Sequence, residues 1–214
     1  MTEPVTATHP ALVLHALRVC GFATTDGVAA FLGQSTDEVA ELLARGESDG
    51  HLRFRDGRMS GWLLTAPGRA HHNEHLQQDL SQAQWKADVE AAYGEFVARN
   101  VELKQVCTDW QLRPSDGADL LPNDHTDAAY DGRVIASLAA LHDRSVPMVD
   151  RLSGVLPRFA SYRPRLAGAL ARLRAGDVTA FARPMSASYH CVWMELHEDL
   201  LATLCRERGE ADGH

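Results

Sequence analysis

The sequence predicts a mainly α chain in two parts: a small N-terminal domain of short helices with one β-hairpin, then an all-helical bundle. Two observations carry this. After Gly50 the apolar residues change from helical spacing to strict alternation, with the strong turn pair Asp56-Gly57 between two alternating runs. After Leu64 no alternating run recurs, whereas apolar residues at three- and four-residue spacing continue to the end. The parts are read as residues 1–80 and 81–214.

In chain order, Thr8 caps a first helix whose apolar positions are Leu12, Val13, Ala16, Leu17 and Cys20, and Gly21 ends it. Thr24 or Thr25 starts a second, with Val28, Phe31 and Leu32 on its inner face. Gly33 breaks the chain, and Ser35 with Glu38 forms an S-x-x-E capping box that opens a third helix striped by Val39, Leu42 and Leu43. His51 to Arg55 and Met59 to Leu64 form the hairpin. Thr65 then caps a helix with Pro67 in its first turn, where proline is tolerated. Two short helices joined by a glycine turn and followed by a hairpin constitute a winged helix-turn-helix.

This succession, together with Leu64-Thr65-Ala66-Pro67-Gly68-Arg69-Ala70, resembles the MarR-like family of bacterial transcription regulators over about a third of the chain. The resemblance implies that the third helix enters the major groove and the hairpin wing touches the backbone or minor groove. Carried over residue by residue, Gln34, Ser35, Thr36 and Arg45 face DNA, and Arg53, Arg55 and Arg58 decorate the wing. The third helix departs from the pattern, because Asp37, Glu38, Glu41, Glu47 and Asp49 put carboxylates on or beside the phosphate-facing side. A winged helix that has lost DNA binding and contacts protein instead is the competing reading.

From Trp85 to Trp110, the residues Val89, Tyr93, Phe96, Asn100, Leu103, Cys107 and Trp110 form a heptad seam. It suits either a dimer contact or packing inside one bundle. A loop from Pro114 to Asp127 precedes a helix from Asp127 to Arg144. Another starts at Pro147, one capped by Ser161 carries Leu166, Leu170 and Leu173, and a last runs from about Ser186 to Arg206. The stretches Cys107–Gln111, Asn123–His125 and Ser188–Leu201 resemble an uncharacterised helical domain that follows winged helices in actinobacterial proteins. That resemblance supplies no reaction and no ligand.

On the last helix His190, Trp193 and His197 share an otherwise apolar face, while Glu195, Glu198 and Asp199 lie largely away from it. Buried polar groups need partners. Asn100, Asp109, Trp110, Asn123, His125 and Tyr189 join the three as candidate lining of a small-molecule pocket, with His142 a further candidate partner. The competing reading is core histidines satisfied by hydrogen bonds. His190 and His197 are two turns apart, which does not suit one metal ion, and His71 with His75 belongs to a solvated helix face.

The net charge of −8 is uneven: −4 over residues 1–80, −5 over 81–144, +5 over 145–185 and −4 thereafter. The seven arginines from Arg151 to Arg183 thus lie outside the candidate DNA-binding domain. The four cysteines form no CxxC pair and read as small buried groups of a cytoplasmic protein. No leader-like start or membrane-length apolar run is present. Without a P-loop, dinucleotide fingerprint or nucleophile elbow, no enzyme, cofactor or resident metal is expected. The expectation is a cytoplasmic, homodimeric, one-component regulator that binds operator DNA and senses a small effector through its C-terminal helices. A protein-interaction module, or an enzyme or metal-binding protein built on the C-terminal histidines, are the alternatives.

Overall fold

The computed structural model describes residues 10–80, 85–114, 120–184 and 186–206. The chain divides into two compact units, Met1–Lys86 and Ala87–His214. It is mainly helical with small antiparallel sheets, and no helix among the described residues is long and apolar enough to cross a membrane.

The first unit contains α1 (Pro10–Cys20), α2 (Thr25–Leu32), α3 (Thr36–Ser48), β1 (Leu52–Arg55), β2 (Gly61–Leu64) and α4 (Ala66–Leu80). Thr8, the expected cap of α1, lies outside the described residues. Thr24 caps α2, its hydroxyl oxygen accepting the Gly27 N–H at 3.1 Å. Gly33 ends α2 at φ +66°, a left-handed conformation that costs glycine nothing. The Ser35–Glu38 capping box then opens α3. β1 and β2 pair antiparallel in the register Leu52↔Leu64 to Arg55↔Gly61, and Ala23 exchanges backbone hydrogen bonds with Trp62 on β2. Thr65 accepts the Gly68 N–H at 3.1 Å to start α4. Val13, Leu17, Val28, Phe31, Val39, Leu43, Leu52 and Leu64 are buried.

The second unit contains α5 (Lys86–Gln111, its first residue at the division), β3 (Leu112–Pro114), β4 (Leu120–Pro122), α6 (Ala128–Val155), a 3-10 turn (Pro157–Ser161), α7 (Tyr162–Arg174), α8 (Thr179–Ala182) and α9 (Tyr189–Thr203). α7 packs on α6 and α9, and the short α8 on α7 and α9. The core includes Phe96, Leu103, Leu138, Leu152, Phe181 and Trp193.

Four expectations for this unit are corrected. It is not all-helical: Leu112, Arg113 and Pro114 pair with Pro122, Leu121 and Leu120, a short hairpin that begins just before the expected loop and runs into it. The prolines sit at strand ends, where a missing N–H is tolerated. The helix from Asp127 does not stop at Arg144, because α6 runs unbroken through Pro147. Proline removes one helical bond, and burial of Leu141, Ser145, Met148, Val149 and Leu152 on both sides holds the helix together. Ser161 does not cap α7: it is helical itself (φ −70°, ψ −22°) and continues the 3-10 turn. The last helix begins at Tyr189 with Ser188 as its cap and ends at Thr203.

Candidate functional site

In the first unit the candidate residues fall on α3 and the hairpin. Ser35 and Glu38 engage each other: the Glu38 carboxylate accepts the Ser35 hydroxyl at 2.8 Å, while the Ser35 oxygen takes the Glu38 N–H at 3.4 Å. The Thr36 hydroxyl donates to Asp26 at 3.1 Å, and Gln34 is half-buried in the turn. Three of the α3 groups expected to face DNA are thus at its start, and two of them already have intramolecular partners. Arg45 is exposed farther along the helix.

Two of the five troublesome carboxylates have structural reasons. Glu38 completes the capping box. Glu47 accepts the Phe54 N–H at 3.0 Å and ties the hairpin to α3. Asp37, Glu41 and Asp49 remain exposed. On the hairpin Arg53, Arg55 and Arg58 are all exposed, with the Arg55 guanidinium 4.7 Å from the centroid of the Phe22 ring. Asp56 closes the tip by accepting the Gly57 N–H and the Ser60 hydroxyl, each at 2.8 Å. Phe54 and Met59 are exposed beside these arginines, at 42% and 48%. The hairpin is the cationic part of this surface and α3 the anionic part.

The histidines of this unit form two sets. His15 and His72 are buried and joined Nδ1 to Nε2 at 3.1 Å, so one ring must donate and the other accept. His51 stacks on His71 with centroids 4.4 Å apart, and His71 meets His75 edge-on at 4.6 Å. The expected solvated face of α4 is therefore only half exposed at His71 and His75.

In the second unit the nine candidates separate into two contact sets and one outlying residue. Asn100 accepts the indole N–H of Trp193 at 3.1 Å, and Phe96 stacks between Trp193 (4.7 Å) and His197 (4.8 Å). Tyr189 lies beside Trp193 and its hydroxyl is 3.3 Å from Nδ1 of His142. Burial lowers the His142 pKa, favouring the neutral ring. The α5 seam therefore packs inside the bundle, with Asn100 spent on an indole.

The second set surrounds the β3–β4 hairpin. Asn123 donates to the carbonyl of Trp110 at 3.1 Å and to Asp131 at 2.8 Å. The His125 Nδ1 lies 3.0 Å from the other Asp131 oxygen, and its ring rests on Trp110 at 4.3 Å. His125 adopts φ +58°, a strained conformation for a residue other than glycine. Its N–H donates to Asn123 Oδ1 at 3.2 Å, which helps hold it there. Asp109, also near this hairpin, accepts from Gln105 at 2.8 Å. Asp131 is the residue that sequence reasoning missed; its position one turn after the helix cap Asp127 was the available signal.

His190 stands apart, half-buried next to Cys191. A hydrogen bond with His190 is the main reason that the Cys191 thiol is lowered to about 7. Asp199, expected to lie away from the core, is fully buried. It accepts from Arg158 at 3.3 Å and from the Tyr162 hydroxyl at 3.0 Å, and those donors make its burial tolerable. Among the described residues, no three His, Cys, Asp or Glu side chains are grouped to hold a metal ion. Comparison with protein families, curated proteins and solved structures yields no match.

Proposed function

We propose that the chain is a transcriptional regulator whose first unit is a MarR-like winged helix that contacts duplex DNA mainly through its hairpin. The observation that carries this reading is the row of exposed arginines, Arg53, Arg55 and Arg58, on a hairpin tied to α3 by Glu47. The helix–glycine turn–helix–hairpin order supports it. Phosphate contacts from three arginines give affinity and position without reading sequence. Any base reading falls to the start of α3, around Gln34. Homodimerisation and effector sensing by the second unit complete the proposal, with the dimer contact made outside the α5 seam.

A second reading has its own support. Exposed Asp37 and Glu41 on α3 repel phosphate, and with exposed Phe54 and Met59 they suit a protein partner. Fluorescence anisotropy of labelled duplex from the chain's own promoter region, across a salt series, separates the two. The DNA reading expects affinity that falls steeply with salt. Replacing all three arginines with alanine lowers the slope by about 0.9 for each phosphate no longer neutralised. Salt-independent or absent binding by the unaltered chain overturns it.

A further inference from the structure

A cavity of about 90 Å³ lies within the first unit, between the start of α1, the second half of α3 and the beginning of α4. At ~15 Å³ for each water-sized group, it has room for roughly six. Val13, Leu42 and Leu52 supply apolar lining, and Arg45, Asp49 and His51 supply polar lining. Arg45 on α3 and its C-cap Asp49 stand one turn apart, within reach of each other. Here neither side chain makes an ion pair or hydrogen bond among the described residues. The rings of His51 and His71, stacked at the cavity, have no hydrogen-bond partner there either.

Ligand classes can be ranked by what each leaves unanswered. A simple anion answers Arg45 and sets a negative charge beside Asp49. A simple cation does the reverse, and a neutral apolar molecule gains nothing from either charge. A zwitterion answers both. We propose that this cavity binds a free α-amino acid with a small aliphatic side chain. The Arg45 guanidinium takes the carboxylate in a two-pronged contact, Asp49 takes the ammonium, and the Val13–Leu42–Leu52 wall takes the side chain. His51 and His71 offer ring N–H groups to the carboxylate. The volume favours a short side chain over a bulky aromatic one. This site shares Arg45 with the residues expected to face DNA, and it is tested on the protein alone.

The test is calorimetric titration of the full chain with L-valine, with 3-methylbutanoate, which lacks the amine, and with 2-methylpropylamine, which lacks the carboxylate. Valine is expected to bind with one site per chain, and each truncated ligand to bind ~tenfold or more weakly. Arg45→Gln and Asp49→Asn should each weaken valine binding by ~tenfold or more while the melting temperature stays put, since both residues are exposed. No valine binding, equal binding of 3-methylbutanoate, or unchanged binding by Asp49→Asn overturns the proposal.

Discussion

Inside the second unit the Arg158 guanidinium meets the carboxylate of Asp199, Nε to Oδ1 at 3.3 Å, and Asp199 has no exposed surface. Arg158 also donates to Thr203 at 2.6 Å, and Tyr162 donates to the second Asp199 oxygen. Removing Arg158 takes a charged donor away from a carboxylate that is fully buried. Arg158→Ala should therefore cost about 3–5 kcal/mol in urea unfolding. Asp199→Asn together with Arg158→Met removes both charges and should cost much less. A single substitution as mild as the double one would mean that the pair carries no buried charge.

The same network sets an alkaline limit on stability. Burial first, and then the Asp199 carboxylate, push the Tyr162 hydroxyl well above its ordinary value; burial does the same to Tyr189. The folded state thus favours the protonated phenols. Their contribution is full below the unfolded value of about 10 and is lost as pH rises above it. Unfolding free energy should fall above about pH 10, and less steeply in Tyr162→Phe. An unchanged alkaline slope in that variant would contradict burial of a neutral Tyr162.

Much of the first unit was legible because its signals are local. The Ser35–Glu38 box, Gly33 and the Asp56-Gly57 turn each act within four residues, and all appear where expected. The second unit depends more on distant partners. Asp199 looks like a surface residue on its own helix, and its burial depends on donors such as Arg158 and Tyr162 that come from elsewhere in the chain. Pro147 looks like a helix start until flanking buried residues outweigh its missing hydrogen bond. The β3–β4 strands are too short for alternation to register. At the candidate sites, arginines could be placed on the hairpin from its turn alone. The tie from Glu47 to Phe54, the Asp131 partner of His125 and the uncommitted Arg45 and Asp49 all required coordinates.

Thiol reactivity should differ sharply along the second unit. The hydrogen bond with His190, helped by Ser188, lowers the Cys191 thiol to about 7, and its sulfur lies 3.4 Å from the Arg183 carbonyl. Burial pushes Cys107 up to about 11. The thiolate attacks the iodoacetamide carbon and displaces iodide, so near neutral pH Cys191 should be alkylated well before Cys107. His190→Ala should move the Cys191 reactivity profile to higher pH. Peptide mapping by mass spectrometry checks both, and alkylation of Cys107 first would refute the ordering.

The tightest backbone approach in the first unit gives the sharpest stability test. A β-carbon built on Gly68 would lie 2.0 Å from the His51 carbonyl oxygen and 2.8 Å from its carbon. That oxygen cannot easily move, because it accepts the Thr65 N–H at 3.0 Å and joins the hairpin's first strand to the start of α4. Gly68→Ala should therefore destabilise the first unit by more than the ~1–3 kcal/mol typical of overpacking. Gly94, exposed inside α5, has nothing within 4 Å of a built β-carbon. There alanine should stabilise by about 0.5–1 kcal/mol, because its unfolded chain has less backbone freedom to lose on folding. Amide hydrogen exchange reads both variants by region. Gly68→Ala should lose protection across residues 10–76 while α6, α7 and α9 keep theirs, and a Gly68→Ala chain with unchanged exchange would disprove the close approach.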